Sequence, residues 1–201
     1  MRDQNYYFFA ATLAPINYGD EPPISSEKFR ELCLNYLSPE DASFLEYCYF
    51  DSKLAMETLN PTGSEFIDDF MLQQRSFFLY LASLRASKMG RQLPADDMSG
   101  MKQLAENNPA VQNALEIGKE AFEMSDPLEA ELFINKGRWQ SLDTLINMNY
   151  FDVRNIYCYL LRLQLLERKR FFDTQKGTEE YQKLYDTILN EYNTKTKEVL
   201  L

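Results

Sequence analysis

Residues 153 to 172, VRNIYCYLLRLQLLERKRFF, decide how this chain folds. From Val153 to Leu166 apolar side chains fall on nearly every side of a helical projection, whereas a helix lying on a protein surface shows one apolar stripe. Such a helix belongs in the middle of a bundle, with other helices around it. Arg154 and Arg162 interrupt it. Each must escape to solvent or find an acid, because an unpaired charge is costly in an apolar interior. Escape to solvent is the expectation.

Working outward, the punctuation on both sides is helical. Asp152 is placed to cap the central helix. Upstream, Asp126-Pro127-Leu128-Glu129 and Asn108-Pro109 each set a capping side chain before a first-turn proline, which lacks only a donor that the helix start cannot use anyway. Gly137 is expected to separate two short helices, at about 127–136 and 138–148. Residues 91–101 carry proline, two adjacent acids and glycine and form the best loop or subdomain boundary in the sequence. Before them, Ser64 opens a long helical segment that closes at Gly90, a C-cap residue. Ser38-Pro39-Glu40-Asp41 starts a helix expected to reach about Leu59. Ser25 and Ser26 cap another running to about Leu37, with Phe29, Leu32, Cys33 and Tyr36 on one face. A final helix is expected after Gly177-Thr178, with Tyr181, Leu184, Tyr185, Ile188 and Tyr192 along one side.

The exception is YYFFAATLA, residues 6–14, which is aromatic and β-prone and is closed off by the turn-rich segment 17–23. It reads as a short strand or an extended arm packed on helices. The fold expected is therefore all-α, a multi-helix bundle in one domain over 1–201, with one short N-terminal extended or β segment.

Composition removes whole classes of chemistry. The 201 residues contain no histidine, so Ser-His and Cys-His nucleophile pairs, imidazole acid-base catalysis and the common zinc and di-iron ligand sets cannot be built. Seven glycines, none spaced as GxGxxG or a P-loop, give no phosphate cradle. No cofactor and no metal are expected. A net charge of −10 repels phosphate backbones, so nucleic acid is not a partner. Cys33, Cys48 and Cys158 form no CxxC pair, and an odd count suits a reducing compartment, which points to the cytoplasm. No apolar stretch approaches the roughly 20 residues of a membrane span.

Weaker signals remain. Glu116, Glu120 and Glu123 share a helix face, but a solvated acidic face is the common outcome for such a pattern. Arg168-Lys169-Arg170 before Phe171-Phe172 mimics a basic-aromatic nucleic-acid patch, yet these cations sit near a helix C-terminus, where they favour the dipole. Trp139 near a helix start would make an interface anchor if half exposed, although a lone tryptophan is more often core. Cys158, inside the most apolar helix, is read as a small hydrophobe. The candidate partner-binding residues are Trp139, Arg154 and Arg162.

Two stretches carry a resemblance beyond composition: residues 6–47, YYFFAATLAPINYGDEPPISSEKFRELCLNYLSPEDASFLEY, and 149–173, NYFDVRNIYCYLLRLQLLERKRFFD. They look like an uncharacterised bacterial family encoded beside V/A-type ATPase subunits. That family is itself distantly similar to the socket subunit of these rotary ATPases, the one lettered C in the V-type enzyme of bacteria and d in the eukaryotic one. The resemblance implies a helical, non-catalytic socket on the cytoplasmic face of the membrane. Such a socket sits on the rotor ring, receives the central axle and contacts no nucleotide. The full socket subunit has three similar helical modules, of which 201 residues hold only part. Where the family's late helix carries glutamate followed by arginine and asparagine, this chain has Gln164, Glu167 and Arg168 in a shifted order, so no contact residue is carried over.

The function expected is thus a peripheral subunit or assembly partner of a bacterial V/A-type ATPase, joining rotor parts through helical surfaces. The alternative is a free-standing helical adaptor that holds a partner helix in a groove lined by Met71, Phe77, Phe78 and Tyr80. An enzyme using paired carboxylates ranks last.

Overall fold

A computed structural model describes residues 6–91, 107–146 and 151–172, together with Gln182 and Tyr185. Among the described residues there are eight α-helices, one 3-10 turn and no strand. The helices are α1 (Tyr7–Thr12), α2 (Ser26–Tyr36), α3 (Pro39–Ser43), α4 (Ser52–Glu57), α5 (Glu65–Lys88), α6 (Pro109–Glu123), α7 (Pro127–Ile146) and α8 (Val153–Phe171). The all-α multi-helix bundle is as expected. The boundary anticipated at 91–101 and the final helix after 178 lie outside the described residues, apart from Arg91, Gln182 and Tyr185.

Helix α8 occupies the centre. Ile156, Tyr157, Cys158, Tyr159, Leu160 and Leu161 are buried in unbroken succession, followed by Leu163, Leu165 and Leu166. Six consecutive residues sweep through more than a full helical turn, so burial on all sides requires neighbours on all sides. Helices α2 and α7 pack against it, and α5 contributes Phe66, Ile67, Phe70 and Met71 to the same core. Each buried leucine contributes about 1.5–3 kcal/mol. The Asp152 cap, whose side chain accepts from the Arg154 amide at 2.8 Å, is worth about 1 kcal/mol. Packing therefore places this helix, and the cap only sets where it begins.

A second, smaller core joins the C-terminal half of α5 to α6 and the first half of α7 through Phe77, Leu81, Ala114, Ile117, Ala121 and Ile134. Phe78 packs against both cores. The capping residues read from the sequence act as expected at four other helix starts, among them Asp126, which accepts from the Leu128 amide at 2.7 Å. Ser25 accepts from the Lys28 amide, Ser38 from the Asp41 amide, and Asn108 from the amides of Ala110 and Val111. Gly90, with φ +70, follows the end of α5.

Three expectations are corrected. Residues 7–12 are helical, because a lone strand with no partner leaves its backbone groups unpaired, while a helical turn satisfies them internally. Phe9 turns inward, stacking on Tyr36 at 4.6 Å and lying 6.0 Å from Phe29. The helix expected over 38–59 breaks into α3, a 3-10 turn at Phe44–Tyr47, and α4. Its i to i+4 acceptors are taken by side chains: Arg30 donates to the carbonyls of Leu45 and Cys48, and Gln164 Nε2 donates to that of Cys48 at 2.8 Å. Asp51 then caps the restart.

The third correction concerns Gly137, which lies inside the unbroken α7. A Cβ there would stand 2.7 Å from Cδ1, 2.9 Å from Cγ1 and 3.0 Å from Cγ2 of Ile117 on α6. The glycine is a contact surface that lets two helices close in. Gly137→Ala is accordingly expected to lower the unfolding free energy by up to about 2 kcal/mol, an overpacking cost of about 1–3 kcal/mol reduced by about 1 kcal/mol of helix propensity. Urea denaturation measures it, and Ile117→Ala should cost less in the Gly137→Ala background than in the wild type.

Candidate functional site

The three residues singled out as partner-binding candidates are all engaged within the molecule. Trp139 is only 9% exposed, with Tyr18 edge-on at 5.6 Å and the Arg162 guanidinium 5.1 Å from its ring centroid. Arg162 also pairs with Asp143, while its Nε is buried with no partner among the described residues. Arg154 stands at the start of α8 between Glu65, at 2.7 Å, and Asp152, at 3.6 Å. Escape to solvent, expected for both arginines, is corrected: each has found an acid. Trp139 and Arg162 come together as one stacked pair, and Arg154 belongs to a separate ion pair.

The groove expected from Met71, Phe77, Phe78 and Tyr80 does not form. Met71 and Phe77 are core residues, and Phe78 and Tyr80 are half-buried. Glu116, Glu120 and Glu123 lie along α6, where the first two edge a hollow of 250 Å³ that Lys136 also lines. No group of three or more Cys, Asp or Glu among the described residues is placed to hold a metal.

An open cleft of 580 Å³ lies between the entry to α4 and the last turns of α8. Tyr49 and Phe50 form one wall and Phe171 the other, with Asp51, Ser52, Gln164, Glu167 and Arg168 between them. Phe171 is 86% exposed, an unusual position for a phenylalanine in a molecule this rich in core aromatics. Four of the polar side chains are engaged within the molecule. Asp51 accepts from the amides of Lys53 and Leu54, and Gln164 holds the Cys48 carbonyl. Glu167 accepts from the Ser26 amide at 2.7 Å and from Ser26 Oγ at 2.5 Å, at the positive end of α2. Arg168 Nη2 meets Glu131 at 2.7 Å.

Behind the Phe50 wall lies Arg138, 6% exposed. Its guanidinium carbon is 5.1, 4.9 and 5.4 Å from the ring centroids of Phe50, Phe77 and Phe78. Among the described residues no carboxylate is within ion-pair distance of it, and its Nε has no acceptor. Burial, then the nearby Arg168, push its pKa down to about 9, with Glu131 opposing them. It remains a cation at neutral pH, held by aromatic faces and by one carboxylate shared with Arg168.

A second aromatic area surrounds α1. Tyr7, Phe8 and Phe151 are about half exposed or more, with Tyr7 4.9 Å from Phe151 and 5.7 Å from Phe8. Beneath it the chain is fixed by hydrogen bonds. The Tyr6 amide donates to the Phe151 carbonyl, the Tyr6 hydroxyl donates to Asp41, and Tyr157 Oη donates to the Asp41 carbonyl at 2.7 Å.

Sequence reasoning misses the cleft. It puts Tyr49 within a helix that in fact breaks there, and it treats Phe171-Phe172 only as a feature of a helix end. The available signal is two consecutive aromatics just beyond the last buried leucine of a central helix.

Comparison with known proteins gives one family model, described as protein of unknown function (DUF2764), which matches residues 41–192. No curated protein and no solved structure matches the chain.

Two expected outcomes test the interior described above. Arg138→Met, which keeps the stem and removes the charge, should leave the unfolding free energy unchanged or raise it by up to about 2 kcal/mol in urea denaturation. A large loss would mean the three rings repay the guanidinium's desolvation in full. The three cysteines are free and buried, and burial pushes the Cys33 thiol up to about 12 and the Cys48 and Cys158 thiols up as well. At a pH of about 8 an aromatic disulfide reagent should therefore label none of them until denaturant opens the fold, and rapid native labelling would contradict their placement.

Proposed function

We propose that this chain, which belongs to the DUF2764 family, is a docking subunit that works by contact and performs no chemistry of its own. The observation that carries this reading is the cleft between α4 and α8. It offers aromatic area, in Tyr49, Phe50 and the 86%-exposed Phe171, while Asp51, Gln164, Glu167 and Arg168 are tied to helix starts, a carbonyl and an opposing charge. A site of that kind supplies buried apolar surface to a partner and leaves no group poised to move a proton or attack a substrate.

The partner we propose is a bacterial V/A-type ATPase, with the chain serving as a peripheral subunit or assembly factor that joins rotor parts. Support comes from the resemblance of residues 6–47 and 149–173 to the family encoded beside such ATPases. A socket-like role also agrees with a bundle in which no described helix is long and apolar enough to cross a membrane.

The test is affinity capture from native membranes of a bacterium that encodes the chain. Tagged wild type should retain ATPase rotor subunits, and the doubly substituted Tyr49→Ser/Phe171→Ser chain should lose most of them, since each exposed aromatic anchor contributes about 1–2 kcal/mol to an interface. Failure of the wild type to recover any rotor component overturns the ATPase assignment. Cleft-dependent recovery of some other single protein would establish the free-standing adaptor instead.

A further inference from the structure

Helix α1 has two sides. Tyr6, which leads into it, and Phe9 are buried, whereas Tyr7, Phe8, Ala11 and Thr12 are exposed and, spaced i, i+1, i+4 and i+5, share the outer face. We infer that this face, with Phe151 and Tyr36 beside it, is the contact surface of a reversible homodimer in which Phe8 of each copy lies on Ala11 and Thr12 of the other. The inference is independent of the α4–α8 cleft.

The face carries both halves of such a contact. Two large rings stand at its start and two small side chains at its end, and the Thr12 hydroxyl is used within the turn, donating to the Phe9 carbonyl at 2.7 Å. A two-fold axis through the middle sets each end against its opposite, which is the self-complementarity that an isologous contact requires. Six residues alone would not hold a helix in water. Here the bonds from Tyr6 to Phe151 and Asp41 and the stack of Phe9 on Tyr36 fix it, so the face is presented ready-formed.

Charge favours a second copy as the occupant. Two molecules of net charge −10 repel wherever their charged surfaces meet. Yet from Gln4 to Gly19 there is no Asp, Glu, Lys or Arg, in a chain of which 26% of the residues are charged. Like molecules therefore meet here at the least electrostatic cost, and the face has no charge with which to select a partner of opposite sign. Of the acids beside it, Asp41 accepts from the Tyr6 hydroxyl and Asp152 pairs with Arg154.

Area sets the strength. Tyr7, Phe8 and Phe151 are 47%, 84% and 51% exposed and their rings adjoin, so at roughly 200 Å² for a whole aromatic side chain they present roughly 350–400 Å². Tyr36, 57% exposed, together with Ala11 and Thr12 brings this to roughly 500–600 Å² per copy. Two copies then bury about 1,000 Å², the lower bound for a specific interface and well short of an obligate one. The dimer is consequently weak, with a dissociation constant on the order of 10–100 μM.

Sedimentation equilibrium of the full-length chain, from about 1 μM to about 1 mM, tests this. The expected result is a shift from monomer to dimer across that range. Phe8→Ser, at a position the fold does not bury, removes both anchors of a symmetric contact and should raise the dissociation constant at least about tenfold with the circular dichroism unchanged. Ala11→Glu and Ala11→Arg should each be monomeric, while their equimolar mixture should associate, because residue 11 of one copy faces its counterpart near the axis. Raising salt from about 50 mM to about 500 mM should tighten the dimer by screening the net charge, the opposite of what a salt-bridged contact would do. Phe171→Ser, in the cleft, should leave it unchanged.

A chain that stays monomeric throughout, a dimer indifferent to Phe8→Ser or weakened by salt, a charge-pair mixture that does not associate, or loss of the dimer in Phe171→Ser would each overturn the inference. So would Phe8-dependent adsorption of the monomer to phosphatidylcholine vesicles without self-association, which would make lipid the occupant.

Discussion

The whole architecture depends on one constraint: α8 is apolar around its full circumference and cannot be left with a wet face. The other elements of the main core answer that demand. Helix α2 covers one side with Phe29 and Cys33, α5 another with Phe66 and Phe70, and α7 a third with Leu142 and Leu145. Even the irregular segment after Phe44 is shaped by it, since Gln164 on α8 takes a carbonyl that a continuing helix would have used. The cleft is a by-product of that break, lying between the α4 that restarts at Asp51 and the last turns of the helix that caused the interruption.

Much of this was legible in the sequence, and what was not has a common physical cause. The positions of Ser25, Ser38, Asn108 and Asp152 identified helix starts because capping is a local bond between residues two or three apart. The unbroken apolar run of α8 announced a central helix for the same reason: it needs no knowledge of neighbours. Gly137, by contrast, looks like a breaker until Ile117 is seen against it, and the carbonyls of Leu45 and Cys48 look available until Arg30 arrives from α2. The errors fall where residues distant in sequence compete for a local backbone group or fill a local space.

The candidate site was less legible than the fold. Residues of conspicuous chemistry, Trp139 and Arg162, satisfy each other. The interior cation Arg138 attracts no notice in the sequence, since nothing in Lys136-Gly137-Arg138-Trp139 foretells three phenylalanine rings from elsewhere in the chain. An exposed aromatic such as Phe171 is visible as a site only once its helix neighbours are known to be buried, because a phenylalanine in a sequence carries no mark of which way it will face.

The bonds that fasten the cleft's walls have a thermodynamic consequence for recognition. Asp51, Gln164 and Glu167 are each held by backbone groups, so these three side chains have little freedom left to surrender when something lands on the cleft. Immobilising a mobile side chain costs roughly 0.5–1.5 kcal/mol, and here that cost was met during folding. A modest contact area on such a preorganised surface can hold a ligand for longer than its size alone would suggest.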